Sequence, residues 1–324
     1  MAEQLRGYRN EMTIGFEASY GVPGDMSRGV KMPFNTEALA ISRAKNTAAT
    51  LRGTRNPAEP FDGKTDVAGD IVVPVGVSGF GYWLRAMFGA PVTSALEEPE
   101  GDAAYQHIFT PGEDLPSLWI ETLFKADTPF YKRSLGCKIS SFSMDVGGDG
   151  ELTASLSMMG GKQTQEAAPL DADAADAPFL RLNNFAATLK VDGVEYGDAT
   201  SFSISLDNGL DGDTYTIGGG GFRGALPEGL LGVSGSMAVL LKDSELYKKA
   251  LASTPMSMQL VIAHPSGPSL AFDFSHVQLQ VTGPVTDGPA GLRLTWNYQA
   301  YSPLPDDPAI VVTLKNAVEN YNLA

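Results

Sequence analysis

Cysteine, histidine and basic residues are scarce in this sequence, and each scarcity excludes a class of function. The 324 residues include one cysteine, Cys137, so no disulfide can form within the chain and a reducing compartment is expected. The three histidines, His107, His264 and His276, lie far apart in strand-like contexts. A metal site or a catalytic centre built on histidine is therefore not predicted.

Lysine and arginine are outnumbered by acidic residues, 23 against 38, which gives a formal net charge of −15. Tight binding to nucleic acid is not expected, because phosphate contacts need clustered basic side chains. Two interpretations of the acidity remain open: a soluble acidic surface, or an acidic wall past which a polyanion slides without binding. The sequence has no apolar run of the ~18 residues that a membrane helix requires and no pattern of a signal peptide, so neither membrane insertion nor secretion is expected.

Motifs of enzymes and cofactor sites are also missing. The glycine run 218–221 lacks the lysine and hydroxyl residue of a phosphate-binding loop. The acidic segments 171–173 and 211–213 begin like calcium loops but do not continue with the glycine and glutamate that complete one. No nucleophile elbow of the Gly-x-Ser-x-Gly type occurs. The sequence predicts no enzyme and no cofactor.

What the chain has in abundance is turn residues and alternating strands. Its 36 glycines and 21 prolines, with only 19% charged residues, are typical of a mainly β protein with few helices. Apolar residues alternate with small polar ones on both sides of a glycine-rich turn in 138–160, which predicts an antiparallel hairpin. A second hairpin is predicted to join 277–281 to 292–298.

The two halves of the chain repeat one pattern. The run Val-x-Gly-x-Ile-x-Val at 67–73 recurs as Val-x-Gly-x-Met-x-Val at 233–239, a spacing of 166 residues. Each run precedes a predicted short helix, 78–89 in the first half and 243–253 in the second, and a strand-like run and a hairpin follow in both. This common order indicates an internal duplication.

The duplication predicts the domain boundaries. We expect an N-terminal arm at 1–33, a first β domain at 34–164, an acidic, alanine-rich linker at 165–179, a second β domain at 180–301 and a C-terminal arm at 302–324. Two loops of more than 20 residues, 43–64 and 207–231, are predicted. The strand-like run 309–314 in the C-terminal arm has no local partner, so it is expected to pair with a sheet edge of another subunit.

A series of runs, spread over nearly the whole chain, carries a family resemblance through its order. The runs are Ile14-Gly-Phe-Glu-Ala-Ser-Tyr-Gly21, 67–89, Tyr105-Gln-His-Ile-Phe109, Pro116-Ser-Leu-Trp-Ile-Glu121, 138–160, Ser201-Phe-Ser-Ile-Ser-Leu-Asp-Asn-Gly209 and 229–239. In this order the chain resembles the tail tube, or major tail, proteins of long-tailed, siphovirus-like bacteriophages.

The resemblance implies a fold and an assembly. The fold would be two tandem tail-tube-like β-sandwich or barrel domains, each flanked by one short helix, with long loops and terminal arms. Sheets of neighbouring domains would join side by side, so that three two-domain subunits close a pseudo-sixfold ring; a hexameric ring is the alternative. Stacked rings would form a hollow tube with an acidic lumen through which DNA passes during ejection without being bound.

The resemblance also implies partners and a location. The chain would contact copies of itself and other tail proteins, namely the tape measure, the tail terminator and the distal tail protein, and no membrane. It would reside in the virion tail after assembly in the cytoplasm of the bacterial host.

Candidate functional residues follow from their place in this architecture rather than from any chemistry of their own. The polar sides of the two hairpins would face the lumen, and three arginines in the long loops are candidates for contacts with acidic surfaces of the next ring: Arg52, Arg55 and Arg223. The lumen-facing candidates are Ser141, Ser143, Asp145, Thr153, Ser155, Ser157, Gln278, Gln280, Arg293 and Thr295.

Other readings of the same sequence remain open. The candidate residues would face solvent if the chain were a monomeric sandwich. Another virion component, such as a baseplate protein, would use the same fold. A β-sandwich module that binds a glycan or a protein is a further alternative, although Trp83, Trp119 and Trp296 stand in patterned helix or strand positions rather than at loop tips.

Overall fold

The chain is almost entirely β structure. A computed structural model describes residues 4–24, 28–286, 288–289 and 291–323, with 48% of residues in strands and 7% in helices. The helices are α1, Phe80–Phe88, and α2, Glu245–Leu251. The strands are β1 Glu11–Phe16, β2 Val30–Met32, β3 Thr36–Glu37, β4 Ala40–Asn46, β5 Phe61–Pro74, β6 Val92–Glu100, β7 Ala103–Phe109, β8 Leu118–Phe124, β9 Phe130–Val146, β10 Thr153–Gly160, β11 Lys162–Glu166, β12 Ala175–Asp176, β13 Ala187–Val191, β14 Val194–Glu195, β15 Ala199–Asp207, β16 Gly232–Leu240, β17 Met256–Ala263, β18 Ser269–Leu279, β19 Arg293–Ala300 and β20 Val311–Asn316.

The predicted hairpin 138–160 is confirmed as β9 and β10. In this hairpin Phe142 pairs with Leu156, and both side chains are buried, whereas their neighbours Ser143 and Ser155 pair with each other on the opposite face. The alternation of the sequence is therefore the alternation of burial, as expected where one side of a sheet covers a core. Both predicted helices are confirmed within two residues at each end.

The first half of the chain forms two layers that share β9. The C-terminal part of this 17-residue strand lies in the sheet order β4–β5–β10–β9, with β3 also paired to β5. Its N-terminal part lies between β8 and β11, and β8 continues through β1 to β2. One long strand thus belongs to both layers.

The second half has the same order of paired strands. Its first layer is β15–β16–β19, followed by the C-terminal part of β18; the N-terminal part of β18 lies between β17 and β20, and β17 continues through β13 to β14. Strand β18 therefore takes the place of β9, and β20 takes the place of β11.

The two halves are joined directly through their first layers. Six residues of β9, 141–146, pair antiparallel with residues 202–207 of β15, and we call this pairing the internal junction. It makes one continuous sheet from β4 to β18. The apolar side of this sheet and the helices enclose the core, which includes Trp83, Phe142, Phe202, Trp296 and Tyr298.

The segments expected to be terminal arms lie largely within the sheets. The expected N-terminal arm contains β1 and β2; its residues 1–3 and 25–27 lie outside the described residues. The C-terminal run forms β20, which was expected to pair with another subunit but pairs within the chain, between β18 and β7. That expectation was wrong because the partner strands are far away in sequence and only the tertiary fold brings them to the tail.

One predicted loop is shorter than expected. Residues 43–46 and 61–64 continue β4 and β5 as a projecting hairpin, so the loop itself is 47–60. The loop 208–231 contains no named strand, in agreement with the prediction, although Tyr215 and Arg223 form an isolated bridge. Among the described residues, no helix has the length and apolar character needed to cross a membrane.

The C-terminal segment after β20 is held by a buried aromatic residue. The Tyr321 ring packs edge-on against His107, and its hydroxyl donates to the carbonyl of Ser78 at 2.7 Å. The ring of His107 is buried, which lowers its pKa; its Nδ1 lies 2.8 Å from the hydroxyl of Thr93 and its Nε2 lies 2.9 Å from the carbonyl of Val318. The tail is thus part of the packed structure.

Candidate assembly surface

One side of the continuous sheet is polar over its whole width, and we call it the polar face. It carries mostly serine, threonine, asparagine and glutamine, with few charges. The strand pairing also places the apolar residues Pro74 and Leu240 on this side. Its residues include Thr36, Ala40, Asp70, Val72, Ser141, Ser143, Asp145, Thr153, Ser155, Ser157, Ser201, Ser203, Ser205, Asp207, Ser234, Ser236, Ala238, Gln278, Gln280, Arg293, Thr295, Asn297 and Gln299.

The strand register aligns these residues in rows across the sheet. One row takes one residue from each of eight strands: Gln278, Gln299, Ser234, Ser205, Ser143, Ser155, Val72 and Thr36. The row crosses the internal junction without a change of face, because Ser205 lies opposite Ser143. Both halves of the chain therefore contribute to a single surface.

Hydrogen bonds between neighbouring strands hold the short polar side chains of this face. The hydroxyls of Ser203 and Ser236 lie 2.8 Å apart, and Ser157 donates to Asp70 at 2.7 Å. Among these named residues the charged ones are three aspartates and one arginine: Asp70, Asp145, Asp207 and Arg293. The face is thus hydroxyl-rich and weakly acidic, without a cluster of basic side chains that would retain phosphate.

Apolar side chains on the other side of the same strands keep the sheet rigid. Phe202 stacks on Tyr298 with 5.2 Å between ring centroids, and the Tyr298 hydroxyl donates to the carbonyl of Ser203 at 2.9 Å. Burial raises the pKa of Tyr298, so this hydroxyl remains a donor. The polar face is therefore formed by paired strands whose opposite side packs into the core.

The structure brings all ten lumen-facing candidates together on the polar face. Nine of them lie in β9, β10, β18 and β19, and Gln280 follows β18 and accepts a hydrogen bond from Asn297 at 3.2 Å. Residues of β15 and β16, the two strands that lie between β9 and β19 in the sheet, were not among the candidates. The alternation of serines with apolar residues in 201–207 is the signal that would have predicted β15.

The three arginine candidates differ in their surroundings. Arg52 and Arg55 are exposed in the loop 47–60. Arg223 is instead committed within the chain: its side chain is 8% exposed, forms an ion pair with Asp66 at 2.6 Å and donates to the carbonyl of Gly212 at 2.7 Å. The guanidinium of Arg223 holds the loop 208–231 against β5, and this leaves it unavailable for a contact between rings.

A partly buried polar cluster lies beside the edge strand β3. The carboxylate of Glu37 accepts from Lys132 at 2.7 Å and from Thr122 at 3.1 Å. Lys132 also donates to the carbonyl of Leu39 at 2.7 Å, and Gln163 accepts from the N–H of Ile41 at 2.9 Å. Side chains thus occupy the outward-pointing backbone groups of this edge, a known protection against unwanted strand pairing.

Other features of the described residues give no sign of a ligand site. No group of three or more His, Cys, Asp or Glu side chains among them is placed to hold a metal ion. Cys137 is fully buried, and burial raises the pKa of its thiol. Trp83, Trp119 and Trp296 are buried in the core and do not form an exposed aromatic platform.

The sequence matches the family model described as "Phage tail tube protein" over residues 7–300. No curated protein shows significant similarity to the chain. The matched range includes the internal junction and every strand of the polar face. The chain therefore belongs to the phage tail tube protein family.

Proposed function

We propose that three copies of this chain close a pseudo-sixfold ring, that rings stack into the tail tube, and that the polar face lines its lumen. The observation that carries the proposal is the polar face itself, which both halves of the chain share without interruption. A wall of this kind is suited to confining a polyanion, because it offers hydroxyls and a few acids rather than clustered cations.

The repeated strand order supports three chains per ring rather than six. Each half supplies an equivalent set of strands to the continuous sheet, so we propose that the halves are duplicated tube domains and that one chain takes two positions of the ring. A closed ring then needs one rotational contact within the layer and one head-to-tail contact between layers.

The number of chains per layer tests this proposal. Tubes assembled from the purified chain should show three chains in each layer in averaged cryo-electron micrographs, with two similar but distinguishable domains per chain. Six chains per layer would contradict the trimeric ring, and single globular particles at high protein concentration would contradict the tube.

The charge of the polar face is expected to control DNA passage. Replacing Ser143 and Ser234 by lysine in every subunit would place cations in the lumen, each able to pair with a DNA phosphate. Virions with the variant tail should eject DNA more slowly, and salt should reduce the difference because it screens these contacts.

Glutamine at the same two positions is the matched control, since it adds length without charge. Virions carrying this control should eject DNA at nearly the wild-type rate. Equal slowing by glutamine and lysine would indicate obstruction of the lumen, and an unchanged rate with lysine would place the polar face outside the DNA path.

The remaining partners follow the family's position in the virion. We propose that the tube ends contact the tail terminator and the distal tail protein, and that the tape measure occupies the lumen before ejection. Arg52 and Arg55, exposed on the loop 47–60, remain the candidates for contacts between rings. Assembly is proposed in the host cytoplasm, with no membrane partner.

A further inference from the structure

The internal junction buries apolar side chains between the two halves. Phe142 and Val146 of β9 are 1% and 3% exposed, and Leu206 of β15 is 1% exposed. Phe142 lies directly opposite Leu206. The pairing of these two strands thus continues both the backbone ladder and the core from one half to the other.

The continuous sheet begins at an open edge formed by β3 and β4. These strands pair with β5 in the first half as β15 pairs with β16 in the second half. Strands β3 and β4 pair with β5 in a single register, so residues 36–42 form one edge segment. Ile41 pairs with Val67 as Leu206 pairs with Val233, and these two valines begin the runs that recur in the sequence. Ile41 is therefore the counterpart of Leu206.

The other end of the sheet contains the counterpart of β9. Val239 pairs with Leu294 as Val73 pairs with Ala154, so β19 corresponds to β10 and Asn297 corresponds to Ser157. We call residues 280–285, which directly follow β18, the end segment.

The end segment corresponds to residues 141–146 of β9. The N–H of Gln280 donates to the carbonyl of Asn297, just as Ser141 lies opposite Ser157. Val281 is consequently the counterpart of Phe142, and Val285 is the counterpart of Val146.

The counterparts at the free ends are exposed although the residues they match are buried. Ile41 is 42% exposed, Val281 is 53% exposed and Val285 is 75% exposed. Exposed apolar residues on the open edge of a sheet and on the segment that extends its last strand are typical of surfaces that are covered on assembly. Within one chain, the matching residues Phe142, Val146 and Leu206 are covered because the two halves pair with each other at the internal junction.

The backbone groups of the edge segment 36–42 point in the direction that pairing with a further strand requires. The N–H of Ala38 donates to Asp70 in β5, so by alternation the backbone groups of Leu39 and Ile41 point away from β5 towards the open edge. Lys132 and Gln163 hold these groups in the single chain. Backbone partners from a neighbouring copy would replace these two side chains.

The alternation also places Pro284 of the end segment where its missing N–H does not disturb pairing with a further strand. In the internal junction the N–H of Asn208 donates to Ser140, which makes Phe142 and Leu206 a hydrogen-bonded pair and Asp145 a member of a pair that is not hydrogen-bonded. Pro284 is the counterpart of Asp145. Its missing N–H would therefore point away from the neighbouring copy, so the proline does not interrupt the ladder.

We propose that the end segment of one copy pairs antiparallel with the edge segment 36–42 of the next copy, in the register of the internal junction. Val281 then lies opposite Ile41, and Thr282 lies opposite Ala40. The proposal rests on the proposed tube function and specifies its contact within the ring: each contact between copies repeats the contact that already joins the two halves of one chain.

Disulfide trapping in assembled tubes tests the register. Thr282 and Ala40 form a pair that is not hydrogen-bonded, for which a Cα separation of about 4.5 Å is expected, within the range of a disulfide. Oxidised tubes of the double variant Ala40→Cys and Thr282→Cys should give covalently linked chains, with a closed trimer as the largest product. The native Cys137 is buried and should not contribute.

A register-shifted pair on the same face is the control. In Ser42→Cys with Thr282→Cys the residues are diagonal neighbours about 7 to 8 Å apart, so linkage should be at least tenfold less. Linkage of the shifted pair in preference to the first pair would overturn the register. Tubes in which neither pair links would overturn the contact while leaving the tube function intact, whereas failure of the wild-type chain to form tubes would count against the function itself.

Hydrogen exchange of the wild-type chain gives a second test that needs no variant. On assembly the amides of Val281 and Gly283 should become protected by at least tenfold, because each would donate across the contact. Unchanged exchange at these amides in intact tubes would overturn the proposal, even if the cysteine variants fail to assemble.

Discussion

Replacing Tyr321 by alanine is expected to lower the free energy of unfolding of the subunit by about 3 to 5 kcal/mol, the range for removal of a large buried aromatic side chain. The ring is 1% exposed and fills the space above Gly81, where an added Cβ would lie 2.1 Å from a ring atom. It also contacts His107 and Tyr82, with centroid separations of 4.8 and 5.0 Å. Urea unfolding followed by circular dichroism would measure the loss.

Tyr321→Phe is the matched control for this cavity. It keeps the ring and removes only the hydroxyl that donates to Ser78 and accepts from Asn316, so a cost of about 1 to 2 kcal/mol is expected. A loss below 1 kcal/mol for Tyr321→Ala would show that the tail after β20 does not stabilise the fold.

Replacing Gly235 by alanine is expected to cost about 3 kcal/mol, the upper end of the usual range for overpacking. A Cβ at this position would lie 2.0 Å from the carbonyl oxygen of Ser203 and 2.6 Å from the hydroxyl of Tyr298. The backbone of β15 would have to move, which would disturb the polar face next to the internal junction. Gly69, the matching residue of the first half, has the carbonyl oxygen of Ala38 at 2.2 Å from the corresponding Cβ position.

Gly232→Ala in the same strand is the control for this prediction. Its Cβ would meet no atom closer than 3.6 Å, so its unfolding free energy should change by less than about 1 kcal/mol. Equal midpoints of urea unfolding for the two variants would contradict the steric explanation. The recurrence of this glycine in both halves then has a physical reason, since in each half a backbone carbonyl oxygen of the adjacent segment of the sheet occupies the space that a Cβ would need.

The parts of the fold that depend on neighbouring residues could be predicted from the sequence. Alternation of apolar and polar residues defined the hairpin 138–160, which the structure forms from β9 and β10. The helices and the loop 208–231 were also recognisable, because capping and turn residues act over a few positions. The same local pattern identified ten residues of the polar face.

Partner choice between distant strands could not be predicted in this way. The strand Val311–Asn316 lies in the segment that was expected to be a terminal arm, yet it pairs with β7, some 200 residues earlier in the chain. The burial of Arg223 likewise depends on Asp66 and on β5, which lie far from it in sequence. The residues of a strand do not specify which sheet edge it will pair with, because the backbone hydrogen bonds are the same for every edge.

By itself, the amino-acid sequence determined that this chain is mainly β and that one side of its hairpins is polar, since both properties are alternations within a few residues. It also showed that the two halves repeat a pattern at a spacing of 166 residues. Only the tertiary structure decided that β9 pairs with β15, and hence that the polar sides of both halves form one continuous face. That pairing is a long-range choice, made where burial of Phe142 against Leu206 offsets the entropy of closing the chain between them.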